Sequence, residues 1–283
     1  MSVLDAQVSE QAMAWEAHVA QAMATPGRLA VAFSGGVDSA VLLAVAARQR
    51  GVEQVVAILA VSASLAAHER IGAHRTAAQI GVPVVEVATT ELDDPNYRAN
   101  GPDRCFHCKN TLFTQITDEI VEAYGIDAVA YGENADDASR PDRPGAQAAT
   151  DHHVLRPLAQ AGLTKAMVRS LARELGLDVA DKPAAPCLAS RIPHFEDVTA
   201  DKLRQIDRAE QVTRDLGFTD ARVRHHGDIA RVELPLEELP RAFEPETRRR
   251  LVSALRHIGF GYVTLDLAGI QSGAFTLSVV NHE

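Results

Sequence analysis

The sequence predicts an α/β fold, a doubly wound parallel sheet followed by a smaller α+β region. Short β-branched runs alternate with helical patterns from about residue 28 to residue 181, and a Gly-Gly loop, Ser34–Ser39, follows the first of these runs. Such alternation is typical of parallel sheets, and open parallel sheets bind ligands beyond the carboxyl ends of their strands. The length of 283 residues is enough for one large domain or two ordinary ones.

The first region is assigned four strands with helices between them. Its apolar runs are Leu29–Phe33, Val55–Val61, Val82–Val87 and Ala128–Tyr131, and its helical patterns lie near 37–50, 65–80 and 106–124. A further helix is expected from Thr164 to Leu175, because a threonine N-cap precedes it and Gly176 follows it. The first thirty residues predict an amphipathic helix.

Prolines mark the end of this region. Pro183, Pro186 and Pro193 indicate a boundary, with predicted domains at 1–185 and 195–283. Beyond the boundary the pattern predicts a small α+β layer. Its elements are a helix near Ala200–Leu216, strands at Ala221–His225 and Ile229–Leu234, a helix near Glu238–Ile258 and a strand at Tyr262–Leu267.

Composition favours a globular cytoplasmic protein with no membrane role. The chain is 46% hydrophobic and 23% charged, and its N-terminus lacks the apolar run of a signal peptide. No later run approaches the length of a membrane span. The formal charge of −10 would repel a phosphate backbone, so we expect no nucleic-acid partner and a small substrate. We also expect a homo-oligomer.

The loop Ser34-Gly35-Gly36-Val37-Asp38-Ser39 has the features of a phosphate site. Adjacent glycines let backbone N–H groups turn inward, the serines add hydroxyl donors, and the following helix adds the positive end of its dipole. The loop lacks the lysine and four-residue spacer of a Walker A sequence, and it lacks the third glycine of a dinucleotide fingerprint. The alternative is a Gly-Gly turn without a ligand.

Charged side chains lie where they could act on a bound phosphate. Gly132, Asn134 and Asp137 belong to a segment that follows the fourth strand, so its carboxylates could hold Mg²⁺ at the same sheet edge. Arg143 could bind a phosphate or carboxylate, and Lys182 could neutralise leaving pyrophosphate. A solvated acidic turn and ordinary surface cations are the alternatives.

The three cysteines of the chain lie at motif positions. Cys105 and Cys108 form a C-x-x-C pair, and Cys187 lies in a proline-rich loop. Three thiolates would leave one iron of a [4Fe–4S] cluster without a protein ligand, where an extra sulfide or the substrate could bind. Unrelated buried cysteines are one alternative. Another is zinc, with a fourth ligand from His107, His152 or His153.

Two arginines in the C-terminal region suggest an anion site. Arg222 and Arg224 lie two residues apart on a predicted strand, so both guanidinium groups are on one face. Two such groups suit a substrate rich in phosphate and carboxylate. The alternative is local pairing with Asp220, Asp228 or Glu233.

Together these motifs resemble the LarE-type sulfurtransferases of the PP-loop ATP pyrophosphatase superfamily. The resemblance implies that ATP, with Mg²⁺, adenylates a carboxylate of pyridinium-3,5-biscarboxylic acid mononucleotide in nickel-pincer nucleotide biosynthesis. Sulfur then displaces AMP and leaves a thiocarboxylate. The motifs span nearly the whole chain: Ser34–Ser39, Arg104–Lys109, Gly132–Asp137, Arg143–Gly145, Lys182–Pro193, Arg222–Arg224 and Val263–Leu267.

The resemblance also implies roles for single residues. The predicted catalytic residues are Asp38, Ser39, Lys182 and Cys187. The predicted cofactor- and substrate-binding residues are Ser34, Gly35, Gly36, Val37, Asp38, Ser39, Gly132, Asn134, Asp137, Arg143, Ser190, Arg191, Arg222 and Arg224. The chain differs from the family pattern at His194-Phe195, where Tyr-Gly is usual, and at His107.

The family uses two sulfur strategies. In one, a single cysteine of the P-C-L-x-S-R loop gives up its sulfur and becomes dehydroalanine. In the other, a C-x-x-C pair joins that cysteine to hold a [4Fe–4S] cluster that carries an extra sulfide, supplied as sulfide or by a sulfur donor. Cys105, Cys108 and Cys187 match the second pattern.

Three other functions compete with this interpretation. A tRNA thiolase of the same superfamily would need a basic face and would retain RNA. An amide-forming synthetase related to the NAD or GMP synthetases would not need three cysteines. A non-enzymatic zinc or iron–sulfur carrier would not convert ATP to AMP.

Overall fold

The computed structural model describes residues 2–139 and 144–271. The strands are β1 (Arg28–Ala32), β2 (Val55–Val61), β3 (Val84–Ala88), β4 (Ile126–Tyr131), β5 (Arg222–His226), β6 (Ile229–Glu233) and β7 (Tyr262–Leu265). The helices are α1 (Glu10–Ala22), α2 (Val37–Arg50), α3 (Ala67–Ile80), α4 (Pro95–Arg98), α5 (Arg104–Gln115), α6 (Val121–Tyr124), α7 (Ala135–Ala138), α8 (Pro144–Asp151), α9 (Pro157–Gln160), α10 (Lys165–Glu174), α11 (Ala200–Asp215), α12 (Leu239–Phe243) and α13 (Pro245–Ile258).

The chain divides into two compact units. The first unit comprises Met1–Ser62, Ala67–Glu91 and Cys105–Ala185. The second comprises Ala63–Ala66, Leu92–Arg104 and Pro186–Glu283, so it takes two short segments from the N-terminal half as well as the C-terminal region. The predicted domain limits of 1–185 and 195–283 did not anticipate these two segments.

The first unit is built on a parallel four-stranded sheet with the order β3-β2-β1-β4. The central strand β1 is fully buried at Leu29, Ala30 and Val31, the continuous apolar run expected of a strand covered on both faces. From β1 the sheet grows through β2 and β3 on one side, and β4 lies on the other. This α/β arrangement confirms the predicted fold class, and it puts the topological switch point between β1 and β4.

Helix α2 follows β1 and is the most deeply buried helix of the unit. Every residue from Ser39 to Ala47 is buried, and four of these are alanines, which permit close packing against the sheet. Helix α10 has the ends that the sequence predicts. The Thr164 side chain accepts a hydrogen bond from the Met167 N–H at 3.4 Å, and Gly176 has a φ of +70°.

The second unit contains a three-stranded sheet with the order β5-β6-β7. Strands β5 and β6 are antiparallel, whereas β6 and β7 are parallel. The turn between β5 and β6 includes Gly227 at a φ of +61°. The hydrophobic core beneath the sheet includes Val223, Val232, Leu255 and Phe260.

Two predicted helices are interrupted. The single helix expected near 238–258 is two helices, α12 and α13, because Glu244 precedes a proline and takes an extended conformation with φ −56° and ψ 133°. The helix expected over 106–124 contains a π-helical segment at Ile116–Ile120, between α5 and α6. Among residues 2–139 and 144–271, none of the helices has the length and apolar character needed to cross a bilayer.

Candidate active site

The loop between β1 and α2 leaves a helix N-terminus open to a ligand. Gly36 is the N-cap of α2, and as a glycine it has no side chain to cap this end of the helix. Gly35 has a φ of +70°, and a Cβ there would lie 2.7 Å from the Cα of Ala73, so only glycine fits. The backbone N–H groups at this helix start are therefore available to an anion.

The serines of the loop bind the loop itself. Ser39 Oγ donates to the Gly36 carbonyl at 3.1 Å and accepts from the Ser34 N–H at 3.3 Å. Ser34 Oγ accepts from the Gly36 N–H at 3.4 Å. These bonds fix the loop conformation around Gly35. Val37 is buried under the loop with 5% of its surface exposed, so its side chain supports the helix start.

Asp38 follows β1 and lies at the β1/β4 switch point, where its carboxylate contacts a side chain from the segment that follows β4. Its Oδ2 is 2.5 Å from Lys165 Nζ, and its Oδ1 accepts from Asn134 Nδ2 at 3.3 Å. Asn134 also donates to Asp137 Oδ2 at 2.8 Å. Gly132 makes this approach possible, since a Cβ there would lie 2.7 Å from Ser39 N. The structure thus brings together the predicted residues of both loops.

Lys165 is a residue that the motif analysis missed. Its backbone N–H donates to Asp136 Oδ2 at 2.8 Å while its ammonium group contacts Asp38. A lysine in the first turn of a helix is unfavourable, because its charge opposes the helix dipole. The position of Lys165 at the start of α10 could therefore have marked it as a functional residue.

Lys182 lies on the other side of the phosphate loop. Its Nζ is 2.5 Å from Glu69 Oε2 and 3.5 Å from the Gly35 carbonyl oxygen. Burial alone would raise the pKa of Glu69, but hydrogen bonds from His68 and Lys182 outweigh it and hold that pKa below its ordinary value. Two lysines, each placed by a carboxylate, therefore flank the loop. Arg143, the remaining predicted cation of this region, lies outside the described residues.

The C-x-x-C pair belongs to the first unit, on α5. Cys105 is exposed and Cys108 is half-buried, three residues apart on the same side of the helix. Cys187 belongs to the second unit, where it is exposed and precedes the short 3₁₀ turn Leu188–Arg191. None of the three forms a disulfide. The exposure of Cys105 and Cys187 contradicts the alternative of buried cysteines at these two positions.

The donor chemistry of these cysteines fits a soft metal or an iron–sulfur cluster. Within the described ranges, however, no group of three His, Cys, Asp or Glu side chains is close enough to hold a metal ion. For the zinc alternative, His152 Nε2 is 2.9 Å from Asn110 Oδ1, so an amide already contacts that ring nitrogen.

The loop that carries Cys187 is braced by Arg191. Its guanidinium donates to the Pro186 carbonyl at 3.0 Å and to Ser190 Oγ at 2.8 Å, on both sides of the cysteine. Arg191 also pairs with Glu210, with Nε 2.8 Å from Oε1, and both side chains are almost fully buried. The pair therefore holds the loop in one conformation.

Arg224 forms an ion pair with Glu233 on the neighbouring strand β6. Its Nε and Nη2 each donate to a different oxygen of Glu233 at 2.9 Å, and its Nη1 donates to the Ser190 carbonyl at 2.9 Å. This local pairing with Glu233 is the alternative raised for the two arginines. The fork of Arg224 is consequently occupied by a carboxylate, and the side chain supports Ser190.

Arg222 is in a different electrostatic environment. Its Nη1 donates to the Gln271 carbonyl at 2.7 Å, and only 4% of the residue is exposed. Burial, and then the positive charges of Arg191 and Arg224, hold the pKa of Arg222 below its ordinary value. An anion bound beside it would relieve that repulsion, so Arg222 is the better candidate for an anion contact.

Comparison with known proteins gives three relatives and one family. Residues 13–103, which include the phosphate loop, match the asparagine synthase family. An uncharacterized protein of Synechocystis sp. is 42% identical over 246 residues, which cover 87% of this chain and 91% of that protein. The pyridinium-3,5-bisthiocarboxylic acid mononucleotide synthase of Lactiplantibacillus plantarum is 36% identical over 248 residues, 87% of this chain and 88% of the synthase. An uncharacterized protein of Methanocaldococcus jannaschii is 27% identical over 168 residues, 59% of this chain and 64% of that protein.

Proposed function

This chain belongs to the LarE family of PP-loop, ATP-using sulfurtransferases, and we propose that it sulfurates pyridinium-3,5-biscarboxylic acid mononucleotide. ATP adenylates one carboxylate of this substrate, and a sulfur nucleophile then displaces AMP to leave a thiocarboxylate. A second round modifies the other carboxylate. The observation that carries the proposal is that Asp38, Lys165 and Lys182 contact the phosphate loop and the helix start that follow β1, at the β1/β4 switch point.

The phosphate loop is suited to hold the ATP phosphates. In the adenylation step a substrate carboxylate oxygen attacks the α-phosphorus, and pyrophosphate leaves with the electron pair of the broken P–O bond. Lys165 and Lys182 flank the loop and would stabilise the charge of the leaving pyrophosphate. Asp38 and Asp137, held together by Asn134, would hold Mg²⁺, which neutralises phosphate charge when bound.

The substrate carries a phosphate and two carboxylates, so it needs cationic partners. Arg222 is the main candidate because neighbouring cations leave it in a positive environment. Arg191, Ser190 and Arg224 form the framework around it through Glu210 and Glu233. In this arrangement Arg224 acts by positioning Ser190, and its direct contact with substrate remains a prediction.

The sulfur step requires a nucleophile that attacks the acyl carbon while AMP departs with its oxygen. A [4Fe–4S] cluster held by three thiolates would supply sulfide at its remaining iron. Cys105, Cys108 and Cys187 are the proposed ligands, supported by their motif positions and by the exposure of Cys105 and Cys187. The alternative within the family is that Cys187 itself gives up sulfur and becomes dehydroalanine.

The proposal is tested by assaying anaerobically purified protein with substrate, ATP and sulfide. We expect one AMP and one pyrophosphate for each thiocarboxylate formed. Asp38→Asn should lose this activity, whereas the same change at the exposed Asp181 should not, since Asp181 pairs with Arg173 at the surface. Formation of ADP and orthophosphate, or thiolation that requires added tRNA, would refute the proposal.

A further inference from the structure

Helix α13 carries positive charge that the described residues leave without partners. Arg248, Arg250, Arg256 and His257 are exposed, and their side chains form no ion pair or hydrogen bond within the part of the chain that the structure describes. Arg249 is paired with Glu246. Several like charges on one helix repel one another, so binding of an anion at this surface would reduce their repulsion.

An open groove runs between α11 and α13 in the second unit. It has a volume of about 640 Å³, within the size range of small-molecule sites. Its apolar lining comes from Val212, Leu216 and Ala254, and its polar lining comes from Asp215, Arg249, Arg250, Ser253 and His257. The groove therefore combines an apolar floor with a cationic rim.

The cations lie on both sides of one hydroxyl group along the helix, that of Ser253. Arg249 and Arg250 lie four and three residues before Ser253 on α13, and His257 lies four residues after it, so all four share one side of the helix. A neighbouring groove of about 440 Å³ shares Arg249 and Ser253 and adds Arg256. Guanidinium groups with a hydroxyl between them match the oxygens of a phosphate group.

From this arrangement we infer that the α11/α13 groove is a second nucleotide site, separate from the phosphate loop of the first unit. The phosphate binds Arg250, Ser253 and His257, and the base packs on the apolar floor. Asp215, on the opposite wall, accepts hydrogen bonds from the sugar hydroxyls.

The charge distribution favours a free nucleotide over a nucleic acid. The cations from Arg248 to His257 span about 14 Å of helix, and the carboxylates of Asp215 and Glu246 lie beside them. The whole chain carries a formal charge of −10, which would repel a long phosphate backbone on either side of this short stretch.

The site is tested by photolabelling the full-length protein with 2-azido-AMP and mapping the labelled peptides. We expect label on α11 and α13 as well as on the phosphate loop. In Arg250→Gln, binding at the groove should weaken about tenfold, because one charge-assisted contact to phosphate is lost. Label on the phosphate loop should be unchanged in this variant, and Arg75→Gln, which removes an exposed arginine of the first unit, should match the wild type at both sites.

Four results would overturn the inference. One is label confined to the phosphate loop, and another is equal groove labelling in Arg250→Gln and the wild type. The other two come from competition experiments. Inorganic phosphate as effective as AMP would indicate a simple anion contact, and an RNA oligonucleotide far more effective than AMP would indicate a nucleic-acid surface. Because the phosphate loop is labelled in the same experiment, failure at the groove leaves the proposed sulfurtransferase function untouched.

Discussion

Replacing Lys165 with methionine separates a catalytic contact from a structural one. Lys165 Nζ lies 2.5 Å from Asp38 Oδ2, and the two side chains are 37% and 19% exposed. A pair this accessible contributes below about 1 kcal/mol to folding. Loss of a donor that stabilises transition-state charge, by contrast, lowers kcat by about 10²–10³, or about 2.7–4 kcal/mol. Lys165→Met should therefore lose activity far out of proportion to stability.

The assay is release of AMP and pyrophosphate at saturating ATP, with urea unfolding of the same preparations. Lys202→Met is the matched control, because Lys202 Nζ is 3.5 Å from Glu196 Oε2 in the second unit and its side chain is also partly exposed. We expect full activity for this control. Activity of Lys165→Met within threefold of the wild type would refute the assignment, as would an activity loss explained by an unfolded fraction.

Three further results follow from the buried charges. Glu233→Gln should lower the free energy of unfolding by about 3–5 kcal/mol, because it leaves the Arg224 guanidinium buried without a counter-charge. The control Glu246→Gln, which removes an exposed ion pair, should cost below about 1 kcal/mol. Equal urea midpoints for the two variants would contradict this. Arg222→Ala should weaken substrate binding by about 2–5 kcal/mol with ATP affinity retained, and calorimetry showing unchanged substrate affinity would exclude the proposed contact. The pKa of Glu69 is lower in the folded protein than its ordinary value of 4.5, so its contribution to stability is present above that value and is lost as the pH falls. Below about pH 5 the wild type should lose stability more steeply than Glu69→Gln, and parallel acid unfolding curves would show that Glu69 is not the cause.

The sequence predicted the first unit well because its signals are local. The strands β1 and β2 are continuous apolar runs, and each was placed within a residue of its position in the structure. The predicted start of β3 was two residues early, because the strand begins after Pro83. The single helix predicted near 238–258 was wrong at Pro245, because the residue before a proline avoids the helical conformation. The apolar periodicity continues across this position and does not show the break.

The site was harder to predict where it depends on pairing between distant residues. The loop Ser34–Ser39 and the segment around Asn134 were found because both follow strands of one sheet. The Arg224 pair depends on the register of β5 and β6, in which Arg224 lies opposite Arg231 and reaches Glu233 diagonally. The two-residue turn Gly227-Asp228 sets that register, and the sequence prediction named Glu233 as one of three acidic residues that could pair with the arginines.

The cysteines bear on how sulfur is supplied. If all three hold a cluster, Cys105→Ser and Cys108→Ser should each abolish the broad visible absorbance of anaerobically reconstituted protein. Turnover with added sulfide should be catalytic, and Cys187 should keep its mass. Loss of one H₂S at Cys187 after a single turnover, with no effect of the other two substitutions, would instead support sacrificial transfer.

Oxygen tracing shows whether a substrate carboxylate is activated as an acyl-adenylate. The substrate is labelled with ¹⁸O in its carboxylates and incubated with ATP and sulfide, and the nucleotide product is analysed by mass spectrometry. Because sulfur displaces AMP together with the attacking carboxylate oxygen, the account predicts one ¹⁸O in AMP for every thiocarboxylate formed. Unlabelled AMP, or ADP in place of AMP, would contradict it.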